Sequence, residues 1–224
     1  MVLLAVDTST QWTGLALYDG EQVLGEIVWR TRAHHTVELA PAIQELLKRS
    51  EASVQDLRAL AVALGPGSFT SLRIGLAAVK GLALALQIPI VGIPSLDVVA
   101  AAQPESELPL LAVLQAGRGR LACARYQYAG RGWSVQSEPA AATAEQLLET
   151  LETRTLIAGE LTAADRQVFN RKRKYAKLVS PARSLRRPSF LAELGWQRWQ
   201  KGAVDEVIGL APIYLHTAEA IPEP

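Results

Sequence analysis

The chain carries few groups that do chemistry. It has one cysteine, Cys123, among 224 residues, which excludes an intrachain disulfide and suits a reducing compartment. It has three histidines, His34, His35 and His216. A metal pair on one helix face needs histidine at i and i+4, and four residues past His35 stands Leu39, so a transition-metal site is not expected. A Gly-x-Ser-x-Gly elbow is missing, as is a Gly-Lys-Ser/Thr phosphate loop. Cys123 falls in a segment that reads as strand, where a packed thiol is expected rather than a nucleophile. No catalytic constellation emerges. The formal net charge is only +1, so no global field draws in nucleic acid. The longest apolar run, around residues 74–93, is broken by Lys80, Gln87 and Pro89 and is expected to be a buried helix, turn and strand, not a membrane span. The N-terminus lacks a basic start and its apolar stretch is too short for a signal peptide. The expected location is the cytoplasm.

What is present is an ordinary soluble composition, 49% hydrophobic and 20% charged, with length for one large domain or two small lobes. The charge is uneven. Residues 1–100 hold 7 Lys and Arg against 9 Asp and Glu, whereas residues 166–187 hold nine basic residues and no acidic one.

Periodicity predicts strands at 2–6, 13–18 and 23–29, with Asp19-Gly20 as a hairpin turn between the last two. A helix is predicted from about 35 to 49, with Leu39, Ile43, Leu46 and Leu47 on one face and Pro41 in its first turns. A buried strand at 57–64 feeds a glycine turn and a long helix to Leu86. A strand at 88–93 follows, then a helix with Ser95 as its N-cap. After a polar break at 103–107, three strands at 110–114, 121–128 and 133–135 restart the plan. A helix capped by Thr143, a strand at 155–158, a short helix from Thr162, a strand near 175–179 and a helix at 189–200 complete it, before an extended tail at 211–215. Two lobes on one βββαβαβα plan, the second degraded, point to an α/β, actin-like, sugar-kinase-like and Hsp70-like ATPase fold. The expected division is 1–103 for the N-terminal lobe and 104–224 for a smaller C-terminal one.

Four segments invite a function. Asp7-Thr8-Ser9-Thr10 joins the first two strands, where such a fold grips phosphate; it also reads as a plain polar turn. Gly65-Pro66-Gly67-Ser68-Phe69-Thr70 lies at a helix N-terminus, where free donors suit an anion, or simply turns the chain into close packing. The helix that follows has two apolar stripes, Leu72, Leu76, Val79, Ala83 and Leu86 beside Gly75, Ala78, Gly81 and Ala85. A helix apolar all round must be covered on more than one side, by its own lobe or by a partner. The basic run 166–187, with Arg171, Lys172, Arg173, Lys174, Arg183, Arg186 and Arg187, reads either as a solvated face or as a site for RNA phosphates.

Leu4-Ala5-Val6-Asp7-Thr8-Ser9, His35 six residues before Pro41, Gly65-Pro66-Gly67-Ser68-Phe69-Thr70-Ser71-Leu72-Arg73-Ile74-Gly75, Lys80-Gly81-Leu82-Ala83 and Ile88-Pro89-Ile90-Val91-Gly92-Ile93-Pro94-Ser95-Leu96 together resemble the TsaB (YeaZ) family. They cover nearly all of the N-terminal lobe in order; Pro212-Ile213-Tyr214-Leu215 resembles the family's C-terminal motif. Ser71 departs from the usual glycine, and Gln115-Ala116-Gly117-Arg118-Gly119-Arg120 from an Asp-Ala-Arg run. The resemblance implies a role in placing threonylcarbamoyl on the adenosine next to the anticodon of tRNA. It implies a non-catalytic scaffold for the transferase TsaD, which has the same fold, with TsaE as a further partner and self-pairing in isolation. It implies no metal and no cofactor of its own, with room for a nucleotide at the complex interface. It also implies that tRNA is contacted mainly through the complex. On this reading Asp7 and Thr8 are remnants of a phosphate turn. Helices 36–49 and 70–86 form the docking face, with Leu39, Ile43, Leu46, Leu72, Leu76 and Val79 as its apolar candidates. The alternatives are an ATP-binding enzyme of the same fold and an RNA-binding module using the basic run.

Overall fold

The computed structural model describes residues 1–31 and 35–215; His34 and His216 lie outside them. The first sheet has β1 (Val2–Asp7), β2 (Trp12–Tyr18), β3 (Val23–Arg30), β4 (Leu57–Ala63) and β5 (Ile90–Ile93), in the order β3-β2-β1-β4-β5. The first three strands form an antiparallel meander, and β4 and β5 extend the sheet parallel to β1. The central strand β1 is buried along its whole length. A strand covered on both faces reads as an unbroken apolar run rather than an alternation.

The two faces of this sheet are covered differently. Leu4, Val6, Leu15, Leu17, Leu60 and Val62 meet α1 (His35–Arg49) and α2 (Phe69–Leu86) in one cluster. The other face is lined by Ala5, Ala16, Ala59, Ala61 and Ala63. Those small side chains let α7 (Pro188–Gln200) come so close that a Cβ on Gly195 would sit 2.5 Å from the Ala61 Cβ. The helix α3 (Ser95–Ala101) is shared between the lobes: Val98 packs with the first sheet, and Leu96, Val99 and Ala100 with the second.

The second sheet runs β11-β10-β6-β7-β8, from β6 (Leu110–Gly117), β7 (Arg120–Tyr128), β8 (Trp133–Val135), β10 (Thr155–Gly159) and β11 (Ala176–Leu178), with β9 (Ala140–Ala142) paired to β7. Its outer face is covered by α4 (Ala144–Glu149) and α5 (Ala163–Asn170) around the fully buried Phe169. A short helix, α6 (Pro181–Ser184), precedes α7. The architecture is the two-lobed, actin-like α/β fold, with β8, β9 and β11 shortened to three residues each.

Several local expectations are corrected. Ser95 is not the N-cap of α3; Pro94 holds that position. The Ser95 hydroxyl instead accepts from the Gly65 backbone N–H at 3.0 Å and shares a hydrogen bond with the Ser9 hydroxyl at 2.5 Å. Thr143 does cap α4, accepting from the Gln146 N–H at 3.2 Å. Pro41 lies inside α1, beyond its first turn. Residues 188–215 follow the second sheet in the chain but pack on the first: α7 covers its alanine face, the Asp205 N–H donates to the Ile90 carbonyl at 2.9 Å and the Ile213 N–H to the Leu64 carbonyl at 2.7 Å. The helix α2 has the length and composition of a membrane span, but it lays Leu72, Leu76, Val79 and Ala83 against its own lobe.

Candidate functional site

The lobes meet at a cleft formed by four backbone turns: 8–10 after β1, 65–68 before α2, 159–162 after β10, and 185–187 between α6 and α7. Two of these turns need glycine. Gly65 (φ +102°) lets the chain leave β4 sharply, and Gly159 (φ +120°) lies so close to the Val113 carbonyl that a Cβ would overlap it.

Arg186 lies at the centre of the cleft. Its side chain is 1% exposed, and each nitrogen of the guanidinium has an acceptor. Nε donates to Asp7 Oδ2, Nη1 to Glu160 Oε1 at 2.6 Å, and Nη2 to Asp7 Oδ1 at 3.3 Å, Thr10 Oγ1 at 3.3 Å and the Trp12 carbonyl at 3.5 Å. Thr10 Oγ1 in turn donates to Glu160 Oε1 at 2.7 Å. Burial opposes the charge on Arg186, but Asp7 and Glu160 outweigh it and hold its pKa above the ordinary value. Asp7 and Glu160 belong to different lobes, so the guanidinium ties the two sheets together. The planar fork of arginine suits this role, since it serves several oxygens in fixed directions.

The other polar groups of the turn after β1 are engaged by the turn itself and by the segment that starts α2. The Ser9 N–H donates to Asp7 Oδ1 at 2.9 Å, Thr8 Oγ1 donates to the Ser71 carbonyl at 2.7 Å, and the Ser68 N–H donates to the Ser9 carbonyl at 2.7 Å. Gly67 and Gly75 exist to permit this packing: a Cβ on either would sit 2.1 Å from the Ser9 carbonyl oxygen or from Thr8 Oγ1. The fold's nucleotide phosphates and their metal would have to compete with Arg186 for Asp7 and with backbone for Thr8. The residues present do not fit that group. Among the described residues no cluster of three His, Cys, Asp or Glu could hold a metal ion. Outside Arg186 the cleft opens into a volume of about 810 Å³ lined by Gln11, Trp12, Arg30, Gln115, Thr162 and Arg166 among others. Gln115, at one of the departures from the family pattern, donates to the Glu160 carbonyl at 3.1 Å and to Asp165 at 3.0 Å.

His35 sits beside this network. Its Nδ1 shares a hydrogen bond with Thr13 Oγ1 at 2.9 Å. Burial pushes the imidazole below its usual pKa, against the opposing pull of Glu38, the Thr10 backbone and Asp7.

The docking candidates are placed less favourably. Leu39, Ile43, Leu46, Leu72, Leu76 and Val79 are all buried within their own lobe, because they fall on the helix faces turned to the sheet. The surface left on α2 is not the small-residue stripe as a whole: Gly75 is buried against Thr8 and Ala78 is half-buried, and only Gly81 and Ala85 of that stripe are exposed. Phe69 is 54% and Leu84 64% exposed, Arg73, Ala77 and Gly81 lie between them, and nothing approaches within 4 Å of where a Gly81 Cβ would be. On α1 the uncovered residues include Val37, Ala40 and Pro41.

The basic run is divided. Arg186 is buried, and Arg187 pairs with Glu26 at 2.5 Å. Burial works against the Glu26 charge, but Arg187 and Ser189 outweigh it and hold its carboxyl below the usual range. Arg186 is withdrawn from solvent altogether, whereas Arg187 stays exposed while it pairs with Glu26. The roles of Arg186 and Glu160 are not readable in the sequence. Asp7 and Arg186 are 179 residues apart, and Arg186 is embedded among arginines that do reach solvent.

A family model described as TsaD, tRNA N6-adenosine threonylcarbamoyltransferase, matches residues 22–194. The chain is 34% identical to the tRNA threonylcarbamoyladenosine biosynthesis protein TsaB of Bacillus subtilis, over 98% of this chain and 96% of that protein. It is 36% identical to the TsaB of Escherichia coli over 57% of this chain and 55% of that one. The solved structure of YeaZ from Pseudomonas aeruginosa superposes with a TM-score of 0.79 at 25% identity, covering 96% of this chain and 99% of that one.

Proposed function

The chain belongs to the TsaB family, within the wider group described by the TsaD model, and on that premise we propose that it is a non-catalytic subunit in tRNA threonylcarbamoyladenosine biosynthesis. Its role in this reading is to pair with a transferase of its own fold and keep it active. The observation that carries the proposal is the uncovered stripe of α2, Phe69, Ala77, Gly81 and Leu84. Leu84 makes one end apolar, Phe69 with the Arg73 guanidinium over its ring makes the other, and the middle is small, so another helix backbone can approach closely there. A partner of the same fold offers the equivalent pair of helices, and two such pairs meet as a four-helix face about a pseudo-two-fold axis. The same geometry serves a homodimer when the transferase is absent.

This moves the expected docking face from one side of the helices to the other. Leu39, Ile43, Leu46, Leu72, Leu76 and Val79 act as the support behind it. Asp7 and Thr8 act as remnants of a phosphate turn, now structural. The Arg186 pairing weighs against an ATP-binding enzyme, because a nucleotide metal would have to displace an arginine with five donated contacts. The chain works in the cytoplasm, and TsaE joins at the junction with the transferase.

Co-expression with the transferase tests the reading. The two proteins are expected to co-purify, and tRNA modification by the transferase is expected to depend on this chain. A transferase equally active without it, or catalysis of the transfer by this chain alone, would overturn the proposal.

A further inference from the structure

The turn after α5 carries Arg171, Lys172, Arg173 and Lys174, followed on β11 by Lys177, and all five are exposed. No ion pair or side-chain hydrogen bond engages any of them among the described residues, and Lys174 alone has a partner, the Tyr175 ring at 5.2 Å. The turn is not a loose tail. Phe169 and Ala176 anchor it on either side in the core of the second sheet. The Lys172 N–H donates to the Phe169 carbonyl at 3.3 Å, and the Tyr175 and Ala176 N–H groups donate to the Lys172 carbonyl, each at 2.9 Å. The result is a fixed cluster of unneutralised cations on a chain whose net charge is only +1.

We propose that residues 171–174 and Lys177 form a docking surface for the phosphate backbone of RNA, here the tRNA substrate. This inference rests on the reading above. The chemistry of the patch selects the partner. A protein interface core is apolar and aromatic and depleted in lysine, and a membrane-surface site couples basic residues to an apolar anchor. None of the exposed large hydrophobic residues falls within 166–187. Phosphate needs only cations. Tyr175 is half-buried beneath Lys174, so no aromatic platform for bases stands beside them, and binding through this patch is indifferent to RNA sequence. The patch sits at the edge strand of the second sheet, whereas α1 and α2 cover the first. A transferase docked on those helices leaves it free.

The test is the salt dependence of binding, measured on the complex of this chain with its transferase by anisotropy of a labelled tRNA transcript over 50–200 mM KCl. The variant R171Q/K172Q/R173Q/K174Q is expected to bind at least about tenfold more weakly at low salt, with a log–log salt slope shallower by about 3, since each lost phosphate contact removes roughly 0.7–0.9. The charge-keeping variant R171K/R173K is expected to match the parent, which separates charge from folding. Unchanged affinity and slope in the four-glutamine variant, with tRNA still modified, would overturn this inference and leave the scaffold reading intact. A parent chain that neither joins the transferase nor supports modification would remove both. Binding to phosphatidylserine vesicles that the four-glutamine variant loses, with its tRNA affinity unaltered, would assign the patch to lipid instead.

Discussion

Asp7 and Arg186 form a buried ion pair that places an internal guanidinium beside the turn after β1. Glu160 completes the arrangement from the other lobe. Buried pairs contribute little against a well-packed apolar replacement, but removing one partner strands a charge. Arg186→Met leaves two carboxylates facing each other and is expected to lower stability by about 3–5 kcal/mol, read from urea denaturation. Asp7→Asn is expected to cost less, because Arg186 keeps Glu160. The double variant is expected to be less damaged than the sum of the two, since the groups share one network. Additive effects would mean that the pair does not act as a unit.

The two sides of α2 should respond differently to charge. Ala77→Arg and Leu84→Glu lie on the uncovered stripe. They are expected to leave stability within about 0.5 kcal/mol while abolishing co-purification with the transferase. Leu76→Glu and Val79→Asp bury an unpaired charge and are expected to unfold the chain rather than report on pairing. Folded Leu76→Glu protein that merely fails to pair would reverse the orientation assigned to the helix.

Two glycines of the same helix give opposite signs. Gly75→Ala drives a methyl into Thr8 Oγ1, threatens the Thr8 to Ser71 hydrogen bond and is expected to cost about 1–3 kcal/mol. Gly81→Ala meets nothing and is expected to stabilise the isolated chain by about 0.5–1 kcal/mol through helix propensity. It should also weaken pairing, because the added methyl sits on the docking stripe. Thermal midpoints and pull-down read the two effects separately.

Acidification tests His35. A histidine whose folded pKa lies below its unfolded value near 6.5 contributes its full stability above that pH. The contribution declines as pH falls from about 6.5 through the folded pKa. Asp97 and Glu193 run the other way: burial holds both carboxyls above their ordinary values, so they penalise the native state less as they take up protons. The informative quantity is therefore a difference. Between pH 7.5 and 5.5 the parent is expected to lose more stability than His35→Gln, and equal losses would show that the imidazole is not held neutral by the fold.

Much of this protein is legible in its sequence. Strand and helix periods follow from which faces are buried, so the order of elements, the hairpin at Asp19-Gly20 and the cap at Thr143 could be read locally. The strand β9 could not, because Ala140–Ala142 has neither alternation nor branched side chains to mark it. The scarcity of reactive groups was equally plain, since composition does not depend on folding. Two matters were decided only in three dimensions. The orientation of α2 was one: with apolar or small residues on every side, spacing cannot say which stripe meets the sheet, and that choice belongs to the side chains of β1 and β4 that receive Leu76 and Val79. The fate of Arg186 was the other. In a run of basic residues nothing local distinguishes the buried one, and its partners Asp7 and Glu160 are brought to it by the closing of two separate sheets.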